Sequence, residues 1–245
     1  HAFLPFERNH TLTIGQALQV VVTAEPREAK GAVVRRLGPA EGAPRLLKAA
    51  PELLDELAAQ APGVDIQTGA AAIEAIWEAE EEALGSGGVF PASGLDLAVQ
   101  RTRALIAVDI DFAPQPGRDG RKGRAGANRE GLGQAARLIQ LKRWGGLVAI
   151  DLVGTVHEGD GLATHARNVF DWAPEAVWGP VSRFGLMQLS LPWRRMPIEE
   201  ALGRPGSERA LQTEAIALTR RLRHAILADT ASPRLTARCR PALAE

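Results

Sequence analysis

The sequence has one cysteine, Cys239, no tyrosine, and only 4% aromatic residues in a chain of 245. A single thiol excludes an internal disulfide and any zinc site built from several cysteines. It fits a reducing, cytoplasmic setting, with Cys239 itself expected in the core. No run approaches the roughly eighteen consecutive apolar residues that a membrane span needs. No signal-peptide pattern is present either, so no membrane partner is expected. The first residue is His1 rather than Met, as in a processed form or a fragment. Net charge is also lacking. The 29 Lys and Arg balance 29 Asp and Glu, so no global field calls for nucleic acid or membrane. What is plentiful is Ala, Arg, Gly and Pro, a coding bias that says little about function. Apolar residues make up 45%, enough for a real core.

The balanced charge is unevenly placed. Arg118, Arg121, Lys122, Arg124, Arg129, Arg137, Lys142 and Arg143 form a basic stretch opposed only by Asp119 and Glu130. Such a run is either a polyanion site or a solvated face. Glu74 to Glu82 is acidic.

"ALQVVVTAEP" and "AKGAVVRRL" read as two β-strands, because β-branched residues cluster between Gly and Pro. "RLLKAAPELLDELAAQAPG" is helical, with Pro51 able to start a second helix after Ala50. "TGAAAIEAIWEAEEEALGSGG" predicts a helix with Ile73, Ile76, Trp77 and Leu84 on one face and Gly85 capping its end. The "GSGG" that follows lacks the lysine of a phosphate loop and reads as a turn. From Pro114 to Gly126 the absence of apolar residues other than alanine predicts a mobile loop. Asn128 is placed to N-cap the next helix, whose buried stripe is Leu132, Ala135, Ala136 and Ile139. Gly145 and Gly146 end that helix.

Two apolar strands each end on a carboxylate: "LIAVDIDF" at Asp109 and "GGLVAIDLVG" at Asp151. A single crossover helix between them returns the second strand parallel to the first. Both aspartates then reach the carboxyl-terminal edge of the sheet, where open α/β sheets hold ligands. Carboxylates that close repel unless they share a proton or a cation. Oxygen-only donors favour Mg²⁺, with Mn²⁺ possible. With basic residues around it, such an ion suits phosphodiester cleavage. The alternative is that one aspartate caps a helix or pairs with a buried arginine.

"SGGVFPASGLDLAVQRTRALIAVDID", "ANREGLGQAARLIQLKRWGGLVAIDLV" and "VSRFGLMQLSLPWRR" together resemble the ribonuclease E/G family almost continuously from Ser86 to Arg195. The resemblance implies an α/β fold, α+β overall. It comprises a deoxyribonuclease-I-like or RNase-H-like catalytic part and a partial N-terminal OB-type β piece. The implied organisation is a partial OB-type RNA-binding domain over 1–36, a shortened helical region over 37–84, a catalytic metal-binding domain over 85–200 and a C-terminal helix and strand over 201–245. Asp109 and Asp151 are the implied Mg²⁺ ligands, and Asp111 stands where the family usually has Asn. The implied RNA-binding residues include Phe3, at a base-stacking position, and Lys30, at a phosphate-contacting one. Arg121, Lys122, Arg124, Asn128, Arg183, Arg194 and Arg195 complete that set. Phe3 as a core residue and Lys30 as a solvated turn lysine are the plainer alternatives.

Other departures concern regulation. The arginine-threonine pair of the family's 5′-end sensor has no counterpart between Leu37 and Gly85. Glu175 stands near the place of a further sensor arginine and would repel a phosphate. "LGRPGSERAL" replaces the paired-cysteine zinc link, so any homodimer forms without zinc. His157 and His165 share no evident face, and Ser182 and Ser190 lack a His-Asp pattern. Glu208 to Leu227 is an amphipathic helix with a basic face. The implied activity is Mg²⁺-dependent endonucleolytic cleavage of single-stranded RNA to 5′-phosphate and 3′-hydroxyl ends, without 5′-monophosphate sensing. The alternatives are a catalytically impaired RNA-binding protein, or a phosphatase or deoxyribonuclease using the same metal pair.

Overall fold

The computed structural model describes residues 1–5, 11–113, 120–154, 160–203, 207–232 and 234–243. The chain is α+β and divides into two compact units, residues 1–79 with 202–245 and residues 80–201. The regions read from sequence as a β piece and as a C-terminal helix and strand both lie in the first unit, but the described residues after 228 form no strand.

The first unit carries a three-stranded sheet. Strand β1 (Ala2–Phe3) runs parallel to β3 (Ala32–Pro39), which pairs antiparallel with β2 (Leu18–Ala24). Helix α1 (Leu53–Gln60) follows. Residues 45–50 are not helical, contrary to the reading of "RLLKAA"; Leu46 and Leu47 are exposed and have no apolar surface to organise a turn against. Helix α2 (Ala70–Leu84) forms as expected, and the Gly85 N–H closes it on the Glu81 carbonyl at 2.9 Å. Its buried side is Ile73 and Ala83; Ile76 and Leu84 are exposed. The core of this unit is thin: among the described residues its buried apolar side chains are Ala24, Val34 and Ile73.

The second unit is built on a six-stranded mixed sheet. A meander comes first: β4 (Gly87–Phe90), β5 (Leu95–Arg101) and β6 (Ile106–Phe112), each antiparallel to the last. Thr102 closes the β5–β6 turn, its Oγ1 donating to the Leu105 carbonyl and accepting the Leu105 N–H. The first residues of β4 are the glycines read as a turn. Gly87 must be small, since a Cβ there would lie 2.0 Å from the Leu97 carbonyl oxygen.

Helix α3 (Gly120–Leu141) then crosses over and returns β7 (Gly146–Asp151) parallel to β6. Helix α4 (Asp160–Val169), β8 (Val177–Trp178), β9 (Leu186–Leu191) and α5 (Ile198–Leu202) complete the unit. The strand order is β4-β5-β6-β7-β9-β8. One face of the sheet packs into a core with α3 and α4: Leu95, Leu97, Val99, Ile106, Val108, Ile110, Val148 and Ile150 meet Leu132, Ala135, Ala136 and Ile139. The expected helical stripe is therefore the buried one. The opposite face of these strands is open.

Helix α3 begins earlier and ends differently than expected. Residues 120–126 are helical rather than loop, and residues 114–119, with Arg118 and Asp119, lie outside the described residues. Its end is set by Arg143 at φ +57°, with the Trp144 N–H on the Ile139 carbonyl and the Arg143 N–H on Gln140, the hydrogen-bond pattern of a Schellman cap. Gly145 and Gly146 lie past that cap. A Cβ on Gly145 would meet the Pro192 carbonyl at 2.8 Å, so this glycine serves close approach. Helix α6 (Glu208–Ala228), in the first unit, starts at Ser207, whose Oγ accepts the Ala210 N–H. Cys239 is exposed, not core: it lies in a stretch after α6 without regular structure.

Candidate metal centre

Asp109 and Asp151 face each other across the parallel β6–β7 ladder in direct register. Neighbouring strands lie about 4.8 Å apart. Side-chain alternation decides the face. Ile106, Val108 and Ile110 point into the core, so Asp109 and Asp111 lie on the open side; Val148 and Ile150 do the same for Asp151. Asp109 is the fourth residue of β6 rather than its last. Asp151 is the last residue of β7, so the pair sits on the open face, at the carboxyl end of β7 and short of that of β6.

A further carboxylate joins them. Asp96 of β5 is the register partner of Asp111, and Leu95, Leu97 and Val99 around it are buried. The period-two alternation of "LDLAVQR" already carried this signal, which the sequence reading passed over. Asp111 is tied locally, its Oδ1 accepting the Phe112 N–H at 2.7 Å.

The electrostatics follow from this crowding. The Asp109 carboxyl is raised above the ordinary carboxylate range, first by lost hydration against the sheet, then by the charges of Asp151, Asp111 and Asp96. Solvent still reaches the side chain. The cluster is thus short of positive charge, a deficit that a divalent cation would relieve. The donors are carboxylate oxygens, which suits Mg²⁺ or Mn²⁺. Among the described residues no group of three or more His, Cys, Asp or Glu is arranged to hold a metal ion. Mg²⁺ keeps several of its waters and needs only one or two protein carboxylates. In comparison with known proteins, no family model matches the chain and no curated protein matches it.

Helix α3 brings the basic stretch to the same end of the sheet. A Cβ on Gly123 would lie 2.4 Å from Phe112 Cζ, so the helix start rests on the last residue of β6. Arg121, Lys122 and Arg124 are therefore helical and exposed, not on a loop. The Arg124 side chain lies against Gly154, just beyond Asp151. Two later cations of the run, Arg137 and Lys142, are committed elsewhere. Arg137 makes a two-point ion pair with Glu82, at 2.5 and 2.7 Å, which holds the Glu82 carboxyl below its usual range. Lys142 is buried, donates to the Ala83 carbonyl at 2.8 Å and lies over the Trp144 ring; burial lowers its pKa.

Asn128 is neither an N-cap nor exposed to a ligand. It sits inside α3, 8% exposed. Its amide donates to the Val153 carbonyl and accepts the Val153 N–H, both at 3.0 Å. That clamp fixes the backbone two residues after Asp151 to the helix.

The remaining residues named from sequence are dispersed. Arg194 pairs with Glu175, so Glu175 is engaged rather than a bare repelling charge. Arg183 lies over the Phe184 ring at 4.8 Å. Arg195 is exposed. His165 Nε2 is 3.0 Å from the Arg129 carbonyl oxygen, a surface contact between helices, and His157 lies outside the described residues. Ser182 is a turn cap, and Ser190 is exposed on β9. Phe3 and Lys30 belong to the first unit. Phe3 is 63% exposed and Lys30 is exposed next to the β3 start, so the core reading of Phe3 does not hold.

Proposed function

We propose that this protein is a Mg²⁺-dependent endoribonuclease of the ribonuclease E/G type, acting on single-stranded RNA. The observation that carries the reading is the in-register Asp109–Asp151 pair on an open sheet face, with the basic start of α3 at the same end. The resemblance of residues 86–195 to that family supports it, including the finer reading of the second unit as deoxyribonuclease-I-like or RNase-H-like and of the first sheet as OB-type.

In this reading Asp109 and Asp151 hold the ion, and Asp111 and Asp96 add negative potential beside it. Mg²⁺ bound there supplies charge neutralisation at a phosphodiester and a more acidic water. Arg121, Lys122 and Arg124 bind RNA phosphates and keep the strand against the carboxylate face. Asn128 positions rather than binds, holding the segment after Asp151. Cleavage leaves 5′-phosphate and 3′-hydroxyl ends. The Glu175–Arg194 pair leaves that arginine with a competing partner for a terminal phosphate, consistent with cutting that ignores the 5′ end.

The test is a short single-stranded RNA and a DNA of identical sequence, each incubated with the protein in Mg²⁺ and in EDTA. Cutting of RNA alone, and only with Mg²⁺, is the expected result. Cutting of DNA would favour a deoxyribonuclease. Binding without cutting would favour an RNA-binding protein in which Asp111 has spoiled the site.

A further inference from the structure

Residues 182–185, "SRFG", form a closed turn that leads into β9. The Ser182 N–H donates to the Leu186 carbonyl at 2.9 Å, and the Gly185 N–H to the Ser182 carbonyl at 3.1 Å. The Ser182 Oγ accepts the N–H groups of Phe184 and Leu186, at 3.3 and 3.2 Å. Gly185, at φ +86°, supplies the left-handed step such a turn needs. The turn is therefore rigid. Yet it presents a phenylalanine ring that is 77% exposed. So exposed a Phe adds nothing to the closing of this turn.

Its position supplies a role. Leu186 is the register partner of Asp151, which in turn faces Asp109. Phe184 is two residues from Leu186, so at most about 7 Å of chain separates them. The Arg183 guanidinium lies over one face of the ring, 4.8 Å from its centroid, so a base would stack on the opposite face with the cation close by. Single-stranded nucleic acids are gripped by this combination, a π-face for the base and a cation for its phosphate. The cations of α3 stand at the same end of the sheet, so the surroundings suit a polyanion rather than an apolar partner. A turn already closed by hydrogen bonds needs little backbone ordering when a base stacks on its ring.

We infer that Phe184 is a stacking platform for an unpaired RNA base next to the Asp109–Asp151 face, with Arg183 contacting the adjoining phosphate. This inference rests on the proposed ribonuclease reading and deepens it: the base on Phe184 must be unstacked from its neighbours, so a duplex does not fit. Phe184 is a positioning residue, since it acts on where the strand lies and not on the reacting atoms.

The experiment measures the Kd of a fluorescein-labelled single-stranded RNA 12-mer in EDTA, by anisotropy. The proteins are wild type, Phe184→Ala, Phe184→Leu and Phe184→Trp, each checked for an unchanged melting curve. Stacking predicts about fivefold or more weakening for Ala, a similar loss for Leu, which keeps bulk but has no π-face, and recovery for Trp. Leu binding as tightly as Phe would overturn stacking in favour of apolar contact. If wild type binds and cuts RNA but Phe184→Ala binds equally well, the platform is wrong and the ribonuclease reading stands. If wild type neither binds nor cuts RNA, both fall. Loss of a dimer in Phe184→Ala by sedimentation, with RNA affinity unchanged, would reassign the ring to a contact between two copies and overturn the inference.

Discussion

The two faces of the six-stranded sheet are made by the same strands and differ in every respect that matters. On the covered face, β5, β6 and β7 contribute Leu95, Leu97, Ile106, Val108, Ile110, Val148 and Ile150, all at most 2% exposed. On the open face the alternate residues are Asp96, Ala98, Gln100, Ala107, Asp109, Asp111, Leu147, Ala149 and Asp151. One face holds the backbone still; the other uses that stillness to keep like charges together. Without the core beneath them, the four carboxylates would spread apart. The acidic face is a cost carried by the apolar one; on the proposed reading, a cation bound there would turn that cost into a use.

Substitutions on the two faces should therefore act in opposite senses. Ile150→Ala, directly beside Asp151 but pointing into the core, should cost roughly 2–5 kcal/mol of stability, because a fully enclosed side chain leaves a cavity. Chemical denaturation measures it, and a loss well under 1 kcal/mol would mean that the sheet does not depend on this contact.

Asn128→Ala comes next. It leaves the Val153 N–H and carbonyl without their partners and should cost about 1–3 kcal/mol. On the ribonuclease reading it should also lower kcat more than it raises KM, since Asn128 positions the segment after Asp151 and does not touch RNA. A rise in KM alone would return Asn128 to the binding surface.

The smallest of these effects has the opposite sign. The Asp109 pKa is raised in the folded chain, so the native state carries no penalty at pH below the unfolded value and loses stability as pH climbs through the raised one. In EDTA, Asp109→Asn should thus unfold at a higher temperature than wild type at pH 7, and the gap should close towards pH 4. A variant less stable than wild type at pH 7 would show that the carboxylate is supported, not crowded.

The aspartate strands, their parallel pairing and the stripe of α3 were legible because period-two and helical patterns are local. The start of α3 was not. Gly120, Gly123 and Gly126 lower helix propensity, and read locally they argue for a loop. Their use is tertiary: Gly123 must rest on Phe112, and a Cβ on Gly131 would come within 2.9 Å of Ile110. Asn128 misled for the same reason, since its partner is Val153, far along the chain. The basic run looked uniform in sequence, but Arg137 is paired with Glu82 and Lys142 is buried on the Ala83 carbonyl. Composition cannot single these two out, because that depends on where the neighbouring elements pack.

The most direct measurement is the Mg²⁺ dependence of RNA cleavage by wild type, Asp109→Asn and Asp151→Asn, with RNA binding followed in parallel. Each substitution removes one of the two charges that hold the ion. The account predicts that cleavage by wild type rises with Mg²⁺ and saturates. It also predicts that both variants lose cleavage by about a hundredfold or more, equivalent to at least roughly 2.7 kcal/mol of barrier, with RNA affinity nearly unchanged. Either variant cutting RNA at the wild-type rate in saturating Mg²⁺ would contradict it.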